Sequence, residues 1–409
     1  MPAINAARLL EALKTLRSFG AVGPGVVRPS FSEADMAARR WLHECMGEAG
    51  LEARIDGVGN VLGRSRNRGK ALLVGSHSDT QPTGGWLDGA LGVIYGLEIV
   101  RAFAEDPTTR HLAVDAVAWS DEESTYLGCL GSRSFCGVLT QEAVAAATSA
   151  AGQRLTDAIS AAGLVGVSPA RLEPQRYVGY LEAHIEQGPY LEEQGNKIGV
   201  VTSIVGIRGC RIHFRGQQNH AGTTPMPRRK DAGVALIDFA YNLRQTFQTN
   251  AGPTTVWTIG RVDFNPGAAS IIPGEAEMIL QYRDPEAARL DHLERTVQAL
   301  ANTANRTGPV VVTVTPNRVP IKPTIMDAGL QQHIAEAAER HTPGAWVHMP
   351  SAAGHDPMVL GDHLPCGMLF IPSIGGISHD FAEDSHEADI VLGCQVLADA
   401  AAVILGRGQ

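Results

Sequence analysis

Cysteine is sparse and unpatterned: Cys45, Cys129, Cys136, Cys210, Cys366 and Cys394 are spread over 409 residues with no C-x-x-C pair. That spacing argues against a disulfide framework or a thiolate zinc site and predicts reduced, mostly buried thiols. No basic stripe offsets the net charge of −9, so nucleic acid and anionic membrane surfaces are not expected partners. No apolar run is read as reaching the roughly 18 residues of a membrane span. Near the N-terminus Leu9, Leu10, Leu13 and Leu16 fall at helical spacing, which predicts an amphipathic helix in place of a signal peptide. Internal repeats and low-complexity tracts are missing as well. The expectation is a cytoplasmic protein whose length and 44% hydrophobic content allow two domains with ample core.

The most informative stretch runs from Ala71 to Thr80 and on through Gly84-Gly85-Trp86-Leu87-Asp88-Gly89. Ala71 to Val74 reads as a buried strand. It delivers His77 at the strand's end, where ligands gather in open α/β sheets. Asp79, two positions later, is close enough for its carboxylate to accept a hydrogen bond from the imidazole, which would leave the other ring nitrogen for a metal. Asp88 lies in a Gly-rich loop just ahead of a helix beginning near Ala90. Its two oxygens could bridge two cations; the plainer alternative is an N-cap.

The same end-of-strand situation recurs. Leu112 to Trp119 reads as a strand ending at Ser120-Asp121-Glu122-Glu123. Three adjacent acids repel one another unless a cation or shared proton compensates, although such a run is ordinary in a solvated loop. On an extended backbone neighbours point opposite ways, so one carboxylate could ligate while the next faces substrate as a base. Tyr177 to Ala183 is another strand, ending at His184-Ile185-Glu186-Gln187, and Cys366 to Ile371 a further one, followed by Gly375-Gly376-Ile377-Ser378-His379 with Glu383 beyond. Between them, Gly128 to Gly137 reads as a Gly-punctuated turn and Gln141 to Ala162 as an Ala-rich helical stretch. A helix from Ala388 to Leu405 closes the chain.

From about Cys210 the pattern changes to strand, helix (Arg228 to Thr246), two strands, helix (Pro285 to Thr303) and strand. This is the split-βαβ order, read as an insertion that returns through the proline-rich 316–323.

The strand-end groups are then His77, Asp88, Glu123, His184 and His379, with Glu122 beside them. Imidazole and carboxylate without thiolate suit Zn, Mn, Co or Ni. A bridging aspartate suits two such ions, with a carboxylate outside the ligand set moving the proton during attack of water on a carbonyl.

The stretches GSHSDT, GGWLDGALGV, SDEES, LGSRSFCG, EAHIEQGP, GQQNHAGTTPMPRRKDA, SIIPG, AAGHDPM and GGISHDFAE resemble, in order and over nearly the full length, the amidase/hydantoinase/carbamoylase branch of the M20 metallopeptidase-like superfamily. The resemblance implies a mixed-sheet, three-layer α/β catalytic domain (1–209 and 324–409) of zinc-peptidase-like form. It also implies an inserted α+β, ferredoxin-like lid and dimerisation domain (210–323), and hence a homodimer. One divalent ion would sit on His77, Asp88 and His184, the other on Asp88, Glu123 and His379, with zinc favoured and Mn, Co or Ni as alternatives. Glu122 matches the general base, and Gln187 a substrate-contacting position. His220 matches a histidine that reaches the neighbouring subunit's active site, where it could hydrogen-bond a developing oxyanion. Arg283 matches an arginine that forks onto the substrate carboxylate, and His355 a pocket histidine. Asp79 and Glu383 read as orienting groups, with Ser132 and Arg133 supporting their loop.

Two positions depart from the branch: Ser270 stands where Asn is frequent, and Gln281 where Asp is frequent two places before the arginine. Both bear on substrate identity more than on reaction class. The expected reaction is hydrolysis of linear ureido amides, foremost N-carbamoyl-L-amino acids, to amino acid, carbon dioxide and ammonia. Allantoate or ureidoglycolate is the near alternative, and N-acyl amino acids or dipeptides the more distant one.

Overall fold

The computed structural model describes residues 1–407. Its contacts divide the chain into two compact units, Met1–Thr202 with the chain from Ile325 onward, and Ser203–Thr324.

The first unit opens with α1 (Ala6–Ser18), a short hairpin of β1 (Ala21–Val22) and β2 (Gly25–Val26), and α2 (Glu33–Glu48). Asn5 and Ser32 cap the two helices by accepting from the N–H groups of Arg8 and Asp35, the preferred N-cap chemistry. The hairpin β3 (Glu52–Ile55) and β4 (Val61–Arg64) follows, then β5 (Ala71–His77), α3 (Ala90–Glu105) and β6 (Ala113–Trp119). Three short helices, α4 (Leu130–Phe135), α5 (Gln141–Ala146) and α6 (Leu155–Ala161), lead to β7 (Tyr177–Ile185), α7 (Tyr190–Gln194) and β8 (Ile198–Ile204).

The second unit contains β9 (Gly206–Arg215), β10 (Asn219–His220), α8 (Ala232–Asn250), β11 (Val256–Asn265), β12 (Ile271–Ile272), β13 (Glu275–Asp284), α9 (Ala287–Thr307) and β14 (Val311–Pro316). Its main sheet runs β11-β13-β9-β14, antiparallel throughout. Both helices pack on one face, where Phe214, Phe239, Phe247, Leu280 and Leu293 form a separate core.

The chain returns through β15 (Thr324–Ile325), α10 (Ala328–His341), β16 (Trp346–Ser351), α11 (Pro357–Leu360), β17 (Cys366–Ile371) and α12 (Glu387–Arg407). The large sheet has the order β15-β8-β17-β7-β5-β6-β4-β3, with β16 also on β8. Its four central strands, β17, β7, β5 and β6, are parallel, and β8 and β4 join them antiparallel. Parallel strands buried on both faces need continuous apolar runs, and β5, β6 and β17 are buried at every position. Helices α1, α2, α3, α10 and α12 build the main core on one side. A smaller cluster around Leu130 and Leu155 lies apart from it. The result is a mixed-sheet α/β fold.

Several expectations from sequence need correcting. The stretch 141–162 is two helices separated by a turn in which Ser149 and Gln153 pair and Gly152 takes φ +81°. Within 128–137 the chain forms α4 as well as turns, and β8 and β16 are strands that periodicity did not flag. The helix expected from Arg228 starts at Ala232, because Asp231 caps it by accepting from Gly233 and Val234. Helix α12 is, by length and composition, apolar enough to cross a membrane over Glu387–Gly406, yet 72% of that window is buried inside the fold. Its apolar surface is already used by the core. All six cysteines are unbonded, and all but Cys136 are buried.

Candidate active site

Because the four central strands are parallel, their C-terminal ends lie along one edge of the sheet, the place where open α/β folds collect ligands. His77 ends β5 directly opposite Trp119 of β6, so the loop 120–123 starts beside it. His184, the penultimate residue of β7, pairs with Phe370 of β17, and the chain beyond β17 carries Ser378 and His379. Asp88 comes from the loop before α3. It is not the N-cap, a place taken by Gly89 at φ +65°, and the Asp88 carboxylate turns inward instead. Only glycine suits position 89, since an added Cβ would lie 2.4 Å from the His77 ring.

Two groups of potential metal ligands result, His77–Asp88–His184 and Asp88–Glu123–His379, each with its ligand atoms within 4.8 Å of one another. Asp88 Oδ1 stands 3.4 Å from His77 Nε2 and 3.1 Å from His184 Nε2. Its other oxygen is 3.3 Å from His379 Nε2, which is 3.6 Å from Glu123 Oε1. Around a tetrahedral zinc with bonds of about 2.0–2.1 Å, neighbouring ligands stand roughly 3.3 Å apart. The donor set therefore fits a divalent cation in both places. Glu123 Oε1 strengthens the case, being buried without any hydrogen-bond donor, a costly state for an anionic oxygen.

Second contacts orient the ring nitrogens. His77 Nδ1 is 3.1 Å from the Asp79 backbone carbonyl and His184 Nδ1 2.9 Å from that of Ile185, which directs both Nε2 atoms to Asp88. The sequence reading gave the His77 contact to the Asp79 carboxylate. That carboxylate is 3.7 Å away and instead accepts from the N–H groups of Glu122 (3.4 Å) and Glu123 (3.1 Å), tying the two ligand loops together. Glu383 accepts from Asp88 N at 3.0 Å and from the Ser378 hydroxyl at 2.8 Å.

The acidic triplet is a turn, not an extended strand: Asp121 and Ser124 both take positive φ. Asp121 folds back to accept from the N–H groups of Thr125, Tyr126 and Leu127, so only Glu122 and Glu123 face the site. Glu122 Oε2 is 3.8 Å from His77 Nε2, beside the ligands without joining either group.

Charge is concentrated here. Burial works against ionising Asp88, but hydrogen bonds to His184, His379 and His77 hold its carboxyl well below the usual range. Burial, with Asp88 next, lifts Glu123 to about 7, and burial pushes Glu122 well up, with Glu123 and Asp356 adding to it against His77. The Asp88 hydrogen bond raises His379 to about 9. A cation would relieve the carboxylate repulsion and compete with protons for the imidazoles.

The remaining residues singled out by sequence fall in three places. Gln187, at φ +59°, donates to Asp88 Oδ2 and Ser378 Oγ at 3.1 and 3.2 Å, and its amide nitrogen lies 3.3 Å from His379 Nε2. His355 is buried and packs on His184 with ring centroids 4.5 Å apart, its Nε2 3.0 Å from Ser351 Oγ. Arg133 lies in α4, and Ser132 there bonds the Cys129 carbonyl. In the second unit His220 is exposed on β10, which pairs with β12, and Ser270 O accepts from Ala221 N. His220 Nδ1 accepts from the N–H groups of Gly222 and Thr223, leaving Nε2 as the donor. Arg283 donates from Nε and Nη2 to Gln281 Oε1 at 3.2 and 3.1 Å.

Sequence reasoning missed two buried arginines behind the ligand loops. Arg28 donates to the Ser78, Leu16 and Phe19 carbonyls. Arg39 pairs with Asp35 and donates to the Gly59 and Trp119 carbonyls. Neither lies near a ligand in sequence, and nothing in their spacing marks them.

A helix-flanked mixed sheet with imidazole and carboxylate groups at the ends of its parallel strands defines a metallohydrolase fold, and the chain belongs to peptidase family M20/M25/M40, whose profile matches residues 73–402. Enzymes of this family use divalent metal ions, and the two clusters above are this chain's candidate places for them. Within the family it is similar to an amidase of the hydantoinase/carbamoylase family from Burkholderia phymatum, 51% identical with a TM-score of 0.95 and all of both chains covered. An N-carbamoyl-L-amino acid amidohydrolase of Geobacillus stearothermophilus is 34% identical over 96% of this chain and 97% of its own. Allantoate amidohydrolase of Escherichia coli K12 is 32% identical over 95% of each.

Proposed function

We propose that this protein is a cytoplasmic metal-dependent amidohydrolase of linear ureido compounds, acting foremost on N-carbamoyl-L-amino acids to give amino acid, carbon dioxide and ammonia. The observation that carries the reading is the pair of ligand groups sharing Asp88, with Glu122 adjacent but outside both. His77, Asp88 and His184 would hold one ion, and Asp88, Glu123 and His379 the other. Zinc is the first choice for a nitrogen–oxygen set, with Mn, Co and Ni behind it. Two bound ions supply Lewis-acid polarisation of the amide carbonyl and lower the pKa of attacking water. Glu122 takes the proton from that water and delivers it to the departing nitrogen. Gln187 contacts the ureido group, and Arg283 forks onto the substrate carboxylate, with Gln281 holding the guanidinium plane in place. His220 offers its Nε2–H to the developing oxyanion of a neighbouring subunit.

The relatives named above support the carbamoyl reading and, at nearly equal identity, the allantoate one. Ser270 and Gln281 depart from the branch where the carboxylate end is recognised, so a substrate panel decides between them. Enzyme reconstituted in turn with Zn, Mn, Co and Ni is expected to release ammonia from N-carbamoyl-L-amino acids faster than from allantoate or ureidoglycolate. Chelated enzyme should release none. No ammonia from any ureido compound with any metal would sink the proposal, while faster release from allantoate would move it to purine nitrogen recovery.

A homodimer formed through the second unit belongs to the same reading. Strand β11 is an edge of its sheet, with Val256, Val262 and Phe264 exposed, and α8 exposes Val234, Ile237 and Tyr241. An open edge bordered by apolar side chains favours pairing with another copy. Sedimentation equilibrium should give twice the chain mass; a fully active monomer would contradict the role of His220.

A further inference from the structure

The loop after β5 does more than present His77. Its backbone is pinned from behind: Arg28 Nε donates to the Ser78 carbonyl at 2.6 Å, and Arg28 and Thr80 exchange bonds through Arg28 N to Thr80 Oγ1 (2.9 Å) and Thr80 N to the Arg28 carbonyl (3.0 Å). The next residue, Gln81, is held in a fixed place by that frame. Its amide nitrogen donates to Glu123 twice, at 2.7 Å to carboxylate Oε2 and at 3.3 Å to the backbone carbonyl. Asp79 meanwhile accepts from Glu123 N. Glu123 is thus gripped at its N–H, its C=O and one carboxylate oxygen by a loop four residues long.

The grip leaves one oxygen over. Glu123 Oε1 is buried, has no hydrogen-bond donor, and is turned toward His379 and Asp88. An amide carries two N–H bonds, and both of Gln81's are spent on Glu123. From this we infer that Gln81 is a positioning residue for the ion shared by Asp88, Glu123 and His379, committing Glu123 to ligation through Oε1 alone. The His77–Asp88–His184 group makes no use of Gln81. The inference rests on the two-ion reading given above. Groups that orient a ligand by a hydrogen bond typically change metal affinity by about 10–100-fold when removed.

The test is a metal titration of the full chain in parallel with Gln81→Met, which keeps the length of the side chain and removes both donors. Apo-protein of each is equilibrated with buffered free Zn or Co and the bound ions per chain are counted by elemental analysis. The wild type should fill two sites. Gln81→Met should fill the first at an unchanged free-metal concentration and need roughly 10–100 times more metal for the second. If Gln81→Met does not fold, Gln81→Asn serves in its place, since it keeps the amide but is one methylene too short to reach carboxylate and carbonyl together. Unchanged filling of both sites, or equal weakening of both, overturns the role of Gln81 while leaving the two-ion reading intact. A wild type that takes up a single ion overturns that reading, and the role of Gln81 with it.

Discussion

Glu122→Gln should lower turnover of a ureido substrate by roughly 10²–10⁴-fold while the protein keeps its full complement of metal. Glutamine has the same length and nearly the same volume as glutamate, so the buried space beside His77 stays filled. What it cannot do is take up and return a proton. Burial lifts the Glu122 carboxyl above the ordinary range against His77, with Glu123, Asp356 and Asp79 adding to it. Its 3.8 Å separation from His77 Nε2 keeps it out of the ligand set, which is why metal content should not fall. Ammonia release and elemental analysis on the same sample give the answer. Near-normal rates would show that another group moves the proton.

Asp88→Ala should have the broadest effect of any single change at the site. One oxygen faces His77 and His184, the other His379, so removing the carboxylate strips a ligand from both groups and an anionic charge from between three imidazoles. The variant should retain less than one ion per chain after gel filtration and show no measurable turnover. His379→Ala, which touches only the second group, should retain about one ion. Asp88→Ala with both ions still bound would mean that the carboxylate is not shared. The fold should survive either change, because the Asp88 backbone is held independently by Glu383 through its N–H.

What was legible in the sequence follows from how local the signals are. A short apolar run followed by a polar residue marks a strand and its end within one window, so His77, Glu123, His184 and His379 could all be picked out as end-of-strand groups. The β-α-β-β-α-β order read from about Cys210 to Thr315 recurs in β9, α8, β11, β13, α9 and β14, since each element's period is set by its own residues, while the two-residue strands β10 and β12 were too short to show one. Helix starts were legible unevenly. The expected start of α3 at Ala90 matches the structure, whereas that of α8 was placed too early because Asp231 decides it, and a cap is a single residue with no period.

The division of labour within Ser120-Asp121-Glu122-Glu123 shows where local reading stops. All three acids look alike in sequence, and an extended backbone would have separated them by alternation. The positive φ at Asp121 and Ser124 instead makes a turn that spends Asp121 on its own loop. Likewise the partner of His77 Nδ1 was placed two residues on, which is right in distance along the chain but wrong in atom. The carbonyl of Asp79 took the contact because its carboxylate was drawn to the N–H groups of Glu122 and Glu123.

By itself the sequence pointed to the candidate ligand side chains, the order of the elements that bear them and the family to which the chain belongs, because those properties are written in residue type and short-range period. Only the tertiary structure decided that the ends of four parallel strands meet along one edge, which oxygen of Asp88 serves which histidines, and that Gln81 and two distant arginines hold the ligand loops. Those are contacts between residues tens to hundreds of positions apart, fixed by strand order and burial, and no window along the chain contains both partners.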